Sequence, residues 1–174
     1  GVDAVLLSHH HLDHVSDLMP LLKARWLAGE TDLTVAGPPG TSDLVTDLLA
    51  VHDYMRDRLD LTLRDLGVGD APFEFAGLSV DAMETRHSML CHAYRFSDPG
   101  GESPTIVFSG DSEAFSELVD FADGAAVLIH DCSFPDDVDV SNHPTPATLG
   151  RALADSDADL GRVYLTHFYP HTEG

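Results

Sequence analysis

Four imidazoles and a carboxylate fall within the seven residues Ser8-His9-His10-His11-Leu12-Asp13-His14, directly after the apolar run 2–7. Imidazole nitrogens and carboxylate oxygens are ligands for divalent cations of the Zn²⁺, Mn²⁺ and Fe²⁺ kind. The spacing says more than the composition. Residues 2–7 are too few and too branched for a helix and read as a buried strand. The C-terminal end of that strand delivers the histidines to a sheet edge, where α/β proteins usually bind ligands. In the turn that follows, the alternate residues His9 and His11 can point the same way, while Asp13 and His14 open a helix. One loop thus offers two ligand pairs, aimed at two neighbouring cations. A tag remnant has neither the interleaved aspartate nor a core strand before it.

Other strand ends carry further candidates. Residues 73–75 and 78–83 read as a hairpin around Gly77 whose second strand leads to His87. Strand 105–108 delivers Asp111, strand 125–129 delivers His130 and Asp131, and strand 163–165 delivers His167. Residues 33–36 form a short buried strand, and 93–96 a strand turned by Asp98-Pro99-Gly100-Gly101. A helix is predicted over 15–27, with an apolar stripe at Val15, Leu18, Leu22 and Trp26 and a kink at Pro20. Further helices are predicted over 41–51 with Thr41 or Ser42 as N-cap, over 113–121, and over 146–154. Residues 53–70 read as a short helix and an edge strand. Gly37-Pro38-Pro39-Gly40 lacks the spacing and the lysine of a phosphate loop and is a strand-to-helix turn. Strand, ligand candidate, helix is the repeating order, as in a layered α/β domain that builds its site from distant segments.

His9-x-His11-x-Asp13-His14 resembles the HxHxDH signature of the metallo-β-lactamase superfamily of binuclear zinc hydrolases. Three more segments are similar to the ribonuclease Z-like branch. Residues 33–40 resemble its strand and Gly-Pro-x-Gly turn, His130-Asp131-Cys132-Ser133-Phe134 its His-Glu-Ala-Thr segment, and His143-Pro144-Thr145 its His-Ser-Thr loop. The resemblance covers nearly the whole chain. It implies an α/β fold, the metallo-β-lactamase αββα sandwich, over residues 1–174, and two divalent metal ions, zinc first and manganese or iron compatible. His9, His11 and His87 would hold the first ion, Asp13, His14 and His167 the second, with Asp111 between them. His10 occupies the variable position of the motif and should point away. His52, His92 and His171 have no motif position, and His130, closing a buried strand, should pack or hydrogen-bond.

The catalytic set that the resemblance implies is Asp13, Asp131 and His143. Asp131 and His143 would form a proton-relay pair, with Asp131 one methylene shorter than the branch's glutamate. A metal-bridging hydroxide would attack phosphorus in line, and His143 as imidazolium would protonate the departing alkoxide. The implied function is a phosphodiesterase acting on a small molecule or an RNA end. Hydrolysis of carboxylic or sulfuric esters or lactams on the same metal pair, and a truncated non-catalytic metal-binding module, are the alternatives.

Composition narrows the partners. Thirty acidic residues against nine basic ones give a formal charge of −21, and Lys23 is the only lysine. Such a surface repels itself unless salt screens it, a bias like that of proteins from salt-loving organisms. It argues against a general nucleic-acid surface, which needs clustered Lys and Arg. Cys91 and Cys132 are too few for a disulfide framework and read as reduced and buried. No run approaches the roughly 20 apolar residues of a membrane span, so a cytoplasmic protein without a membrane partner is expected, with a homodimer left open.

Two departures from the branch stand out. Ribonuclease Z proper carries a long tRNA-binding arm between its third-motif histidine and the bridging aspartate. Here His87 and Asp111 are 24 positions apart (111 − 87), filled by strands and one turn, so there is no arm. The superfamily also has strands upstream of its first motif and a helix after its last histidine. The expectation is a partial domain lacking its N-terminal strands, either a fragment or a chain completed by another.

Overall fold

The computed structural model describes residues 1–69 and 72–170. The chain divides into two compact units, Gly1–Gly67 and Val68–Gly174.

In the first unit, β1 (Ala4–Leu6), β2 (Asp32–Gly37) and β3 (Asp60–Asp65) form a parallel sheet in the order β1-β2-β3. Parallel strands need crossovers, and helices supply them. α1 (Leu12–Val15) and α2 (Leu18–Leu27) join β1 to β2, while α3 (Thr41–Val51) and a 3-10 helix over Asp53–Arg58 join β2 to β3. Leu7, Leu18, Leu22, Leu33, Val35, Val45 and Met55 form the core between sheet and helices. The single predicted helix over 15–27 is in fact two, broken at Ser16 and Asp17. Pro20 therefore falls in the first turn of α2, where its missing N–H costs nothing, and no kink is needed.

The inward stripe of α2 also differs from expectation, since Leu18, Leu22 and Arg25 are buried and Trp26 is not. The Arg25 guanidinium donates to Val2 O, Glu30 Oε2 and Asp32 O. Those acceptors make a cation tolerable at a position the hydrophobic pattern assigns to no core face. The N-cap of α3 is Gly40, with φ +97°, rather than Thr41 or Ser42. The Thr41 hydroxyl is committed to Pro38 O, and Asp65 Oδ1 accepts from Ser42 N at 3.0 Å, capping the helix from β3.

In the second unit, β4 (Phe73–Phe75), β5 (Leu78–Glu84), β6 (His92–Ser97), β7 (Ile106–Phe108), β8 (Val127–Asp131) and β9 (Arg162–Thr166) lie in sequence order in one sheet. β4 to β7 are antiparallel, while β7, β8 and β9 are parallel. The parallel connections carry α4 (Ser116–Phe121) and α5 (Pro146–Ala154). Ala76 and Gly77, both at positive φ, make the β4–β5 hairpin turn as predicted. β6, the Asp98 turn and β7 fill the stretch between His87 and Asp111, leaving no room for an arm. α4 starts three residues later than predicted, because Glu113 N is committed to Arg86 O at 2.8 Å and Phe115 is extended. Val107, Ala122, Ala125 and Leu128 pack one core cluster, and Ala93, Phe115 and Leu118 another.

Candidate metal centre

Each unit gathers part of the predicted ligand set. In the first, β1 ends at Leu6 and the chain turns through Ser8 to His11, the residue that precedes α1. His9 is fully buried, and its Nδ1 lies 3.0 Å from Ser8 Oγ. The anchored ring presents Nε2, 3.1 Å from His11 Nδ1. Donors bound at 2.0–2.2 Å to one tetrahedral Zn²⁺ lie about 3.3–3.6 Å apart, and these two nitrogens, at 3.1 Å, need to part only slightly to share a cation. Asp13 and His14 occupy the first turn of α1, with Asp13 Oδ2 3.4 Å from His14 Nε2. The His14 ring lies 4.2 Å from that of His9. All four predicted ligands of this unit therefore sit together.

His10 turns away from them, as expected. Its Nε2 is 2.8 Å from Thr41 Oγ1. The single hydroxyl proton of Thr41 goes to Pro38 O, so His10 Nε2 carries a proton and donates. Burial lowers the pKa of His10, opposed by Asp65.

In the second unit, Asp111, Asp131, His143 and His167 place one ligand atom each within 4.8 Å of one another. Gly110, at φ +60°, turns the chain out of β7 and into Asp111. The buried Thr85 hydroxyl holds the Asp111 carbonyl at 2.7 Å. Asp111 Oδ2 lies 3.4 Å from His167 Nε2 and 3.9 Å from His87 Nε2, between two imidazoles as a bridging carboxylate would be. His87 Nδ1 donates to Asn142 O at 3.3 Å. A carbonyl accepts only, which leaves the lone pair of His87 on Nε2, the nitrogen that faces Asp111.

Asp131 is the last residue of β8 and wholly buried. Its Oδ2 accepts from His143 Nδ1 at 2.7 Å and from Ser112 N at 3.2 Å, and its Oδ1 from Ser133 Oγ at 2.5 Å. Burial alone would raise the pKa of this carboxyl. The hydrogen bonds from His143 and Ser133, with the His167 imidazole 3.7 Å away, outweigh burial and hold it well below the usual carboxylate range. The rings of Phe134, His167 and Tyr169 surround that of His143, with His167 stacked on it at 5.4 Å. The shorter aspartate thus still reaches His143.

Of the remaining histidines, His130 packs and hydrogen-bonds as expected. His130 is buried and its Nδ1 donates to Asp131 O at 2.7 Å. His92 is buried against Tyr94, and His52 packs its ring on Tyr54. His171 lies outside the described residues. Sequence reasoning passed over Ser8, Thr85, Ser133 and Asn142, which orient the ligands. The only signal for them was adjacency to a ligand or to a motif segment, too weak to single out a serine or an asparagine.

In the second unit the parallel strands β8 and β9 lead to Asp131 and His167, and the first unit opens with HxHxDH, features of the metallo-β-lactamase fold. Residues 1–168 match the family described as the beta-lactamase superfamily domain, and the chain belongs to it. It is 27% identical to the probable metallo-hydrolase YhfI of Bacillus subtilis over 98% of this chain and 67% of that protein. It is 29% identical to a ribonuclease Z of Mycobacterium sp. (strain KMS), again over 98% of this chain and 67% of that protein. The crystal structure of YhfI superposes with a TM-score of 0.74 at 26% identity, covering 95% of this chain and 64% of that one. The short form of human tRNase Z gives a TM-score of 0.75 at 19% identity over 98% of this chain and 73% of that one, a likeness of fold. The chain thus spans somewhat less than two thirds of the solved YhfI structure. Members of the superfamily bind divalent metals, and the histidine and aspartate clusters have the donor set to do so. No helix among the described residues is long and apolar enough to cross a membrane.

Proposed function

We propose that the chain carries the catalytic centre of a binuclear metal-dependent phosphodiesterase of the ribonuclease Z type. In this reading His9, His11 and His87 would hold one divalent ion and Asp13, His14 and His167 the other, with Asp111 available to both. Zinc is the ion the nitrogen-rich donor set suits best, with manganese and iron as substitutes. Such a pair supplies a water nucleophile at neutral pH and neutralises charge on the phosphoryl oxygens. The chain's own residues do the rest.

The observation that carries the phosphodiesterase reading is the His143–Asp131 pair, 2.7 Å from Nδ1 to Oδ2. A buried carboxylate that accepts from Nδ1 holds the ring in place and leaves Nε2 as the nitrogen to face a leaving group. That Nε2–H is a general acid for a leaving alkoxide: as the P–O bond breaks, the oxygen takes the proton and His143 is left neutral. Asp131 keeps its own charge throughout. Relatives named ribonuclease Z, at 26–29% identity, add support for a phosphodiester substrate.

A general acid matters most when the leaving group is poor. With metals supplied, His143→Ala should cut turnover of an alkyl phosphodiester by roughly 10²–10⁴-fold. It should cut bis-p-nitrophenyl phosphate turnover far less, since nitrophenolate leaves unaided. An equal loss on both substrates would remove the acid role. Turnover of carboxylic esters, sulfate esters or lactams with none of either phosphodiester would overturn the substrate class. Treatment with a chelator should abolish activity, and zinc or manganese should restore it.

A further inference from the structure

Asp131 and His143 account for one side of the buried carboxylate, and its other side is occupied as well. Ser133, fully buried, stands two residues beyond Asp131 on the same segment. Its Oγ lies 2.5 Å from Asp131 Oδ1, 2.8 Å from His167 Nδ1 and 3.3 Å from His143 Nδ1. A hydroxyl has one proton and two lone pairs. The acceptor-only carboxylate, at the shortest of the three distances, takes that proton. The oxygen's lone pairs are then left for His167, so His167 Nδ1 must carry a proton and donate it. The lone pair of His167 is therefore on Nε2, which faces Asp111 Oδ2 at 3.4 Å.

The backbone is built to deliver this contact. His167 adopts φ +64°, a left-handed conformation that is strained for a residue with a Cβ. Two backbone hydrogen bonds clamp the turn to the Ser133 segment, Cys132 N to Thr166 O at 3.0 Å and Tyr169 N to Ser133 O at 3.1 Å. The stack of His167 on His143 fixes the ring's tilt as well.

We infer that Ser133 is a positioning residue that sets the Nδ1–H tautomer and the orientation of His167, and so couples that ligand to the Asp131–His143 pair through one hydroxyl. The inference rests on the metal-binding reading only for its consequence, since the tautomer is a property of the metal-free chain. Removal of the hydroxyl leaves Asp131 and His143 in contact and leaves His167 Nδ1 facing Asp131 Oδ1 at 3.7 Å, beyond hydrogen-bond distance, so the other tautomer, which turns an N–H toward Asp111, gains population. Loss of a partner that orients a metal ligand weakens metal binding by typically 10–100-fold.

The test compares wild type, Ser133→Ala and Ser133→Thr. Long-range ¹H–¹⁵N correlations on the metal-free chain report which nitrogen of His167 is protonated. Wild type and Ser133→Thr should show Nδ1–H, and Ser133→Ala a mixture or Nε2–H. Zinc titration against a chromogenic chelator should show two sites in wild type, with one of them weakened 10–100-fold in Ser133→Ala and restored in Ser133→Thr. An unchanged tautomer in a folded Ser133→Ala overturns the inference, as does unchanged zinc affinity at both sites. Wild type that binds no zinc but switches tautomer on Ser133→Ala keeps the positioning role and sinks the metal reading instead. If Ser133→Thr fails to fold in the confined site, the tautomers of wild type and Ser133→Ala still decide.

Discussion

His130 closes the buried run of β8 and shows how much a neighbour's role can differ from its own. Its Nε2 is buried without a hydrogen-bond partner among the described residues, and its Nδ1–H is spent on Asp131 O. Burial lowers its pKa, only partly offset by the carbonyl and charge of Asp131. The folded ring therefore stays neutral, while the unfolded chain takes up a proton below roughly pH 6.5. The unfolded state then binds more protons, so stability falls as pH drops through that value, with a limiting slope of about 1.4 kcal/mol per pH unit. His130→Asn keeps an N–H for the carbonyl and removes the titration. Denaturant unfolding of the metal-free proteins between about pH 7 and pH 5 should fall less steeply for the variant. Parallel curves would mean that folded His130 accepts a proton after all. At this scale the sequence was legible where residue type and motif position coincide, as with His9, His11, Asp13 and His14. It was silent on Ser133 and on the φ of His167, because a serine and a backbone turn have no compositional signature until distant segments meet.

Elements were legible where hydrophobic period and punctuation agree, and their ends were misjudged where a distant partner claimed a backbone group. Pro146–Ala154 was predicted to the residue because its cap is local. Thr145 and Thr148 exchange hydrogen bonds in a capping box, with proline at the first helical position. The N-cap of α3 and the start of α4 were not, because Asp65 and Arg86, far away in sequence, satisfy groups that a local reading gives to Thr41 and Glu113. The α5 cap also stands two residues after His143, at the end of the loop that carries that ring. Thr145→Ala should cost about 1 kcal/mol in denaturant unfolding, and Thr145→Ser should recover most of it. If the loop depends on the cap, Thr145→Ala also slows phosphodiester turnover, whereas full activity at reduced stability would confine its role to the helix.

Charge is the property that only the whole chain has. Of 9 basic residues against 30 acidic ones, several are already committed. Lys23 lies over Trp26 and Tyr54, Arg58 over Trp26, and Arg25 is buried among backbone carbonyls and Glu30. Arg86 pairs with Glu117, and Arg95 donates to Phe121 O and Asp123 O. These contacts are local, and the excess of 21 negative charges still repels at long range. Asp120, Asp123 and Asp157 line one hollow of the second unit together, where like charges raise the energy of the compact state. Raising ionic strength from about 0.1 M to about 1 M shrinks the Debye length from about 10 Å to about 3 Å and should remove most of that penalty. The melting temperature of the metal-free chain should therefore climb steeply over this range and do so alike in chloride and in sulfate. Strengthened hydrophobic burial would behave differently, favouring sulfate over chloride and rising further beyond 1 M. Asp157→Asn separates the two causes. It should raise the melting temperature at low salt and lose that advantage at high salt, whereas an equal gain at both would point to local packing at Asp157 rather than to the field of the chain.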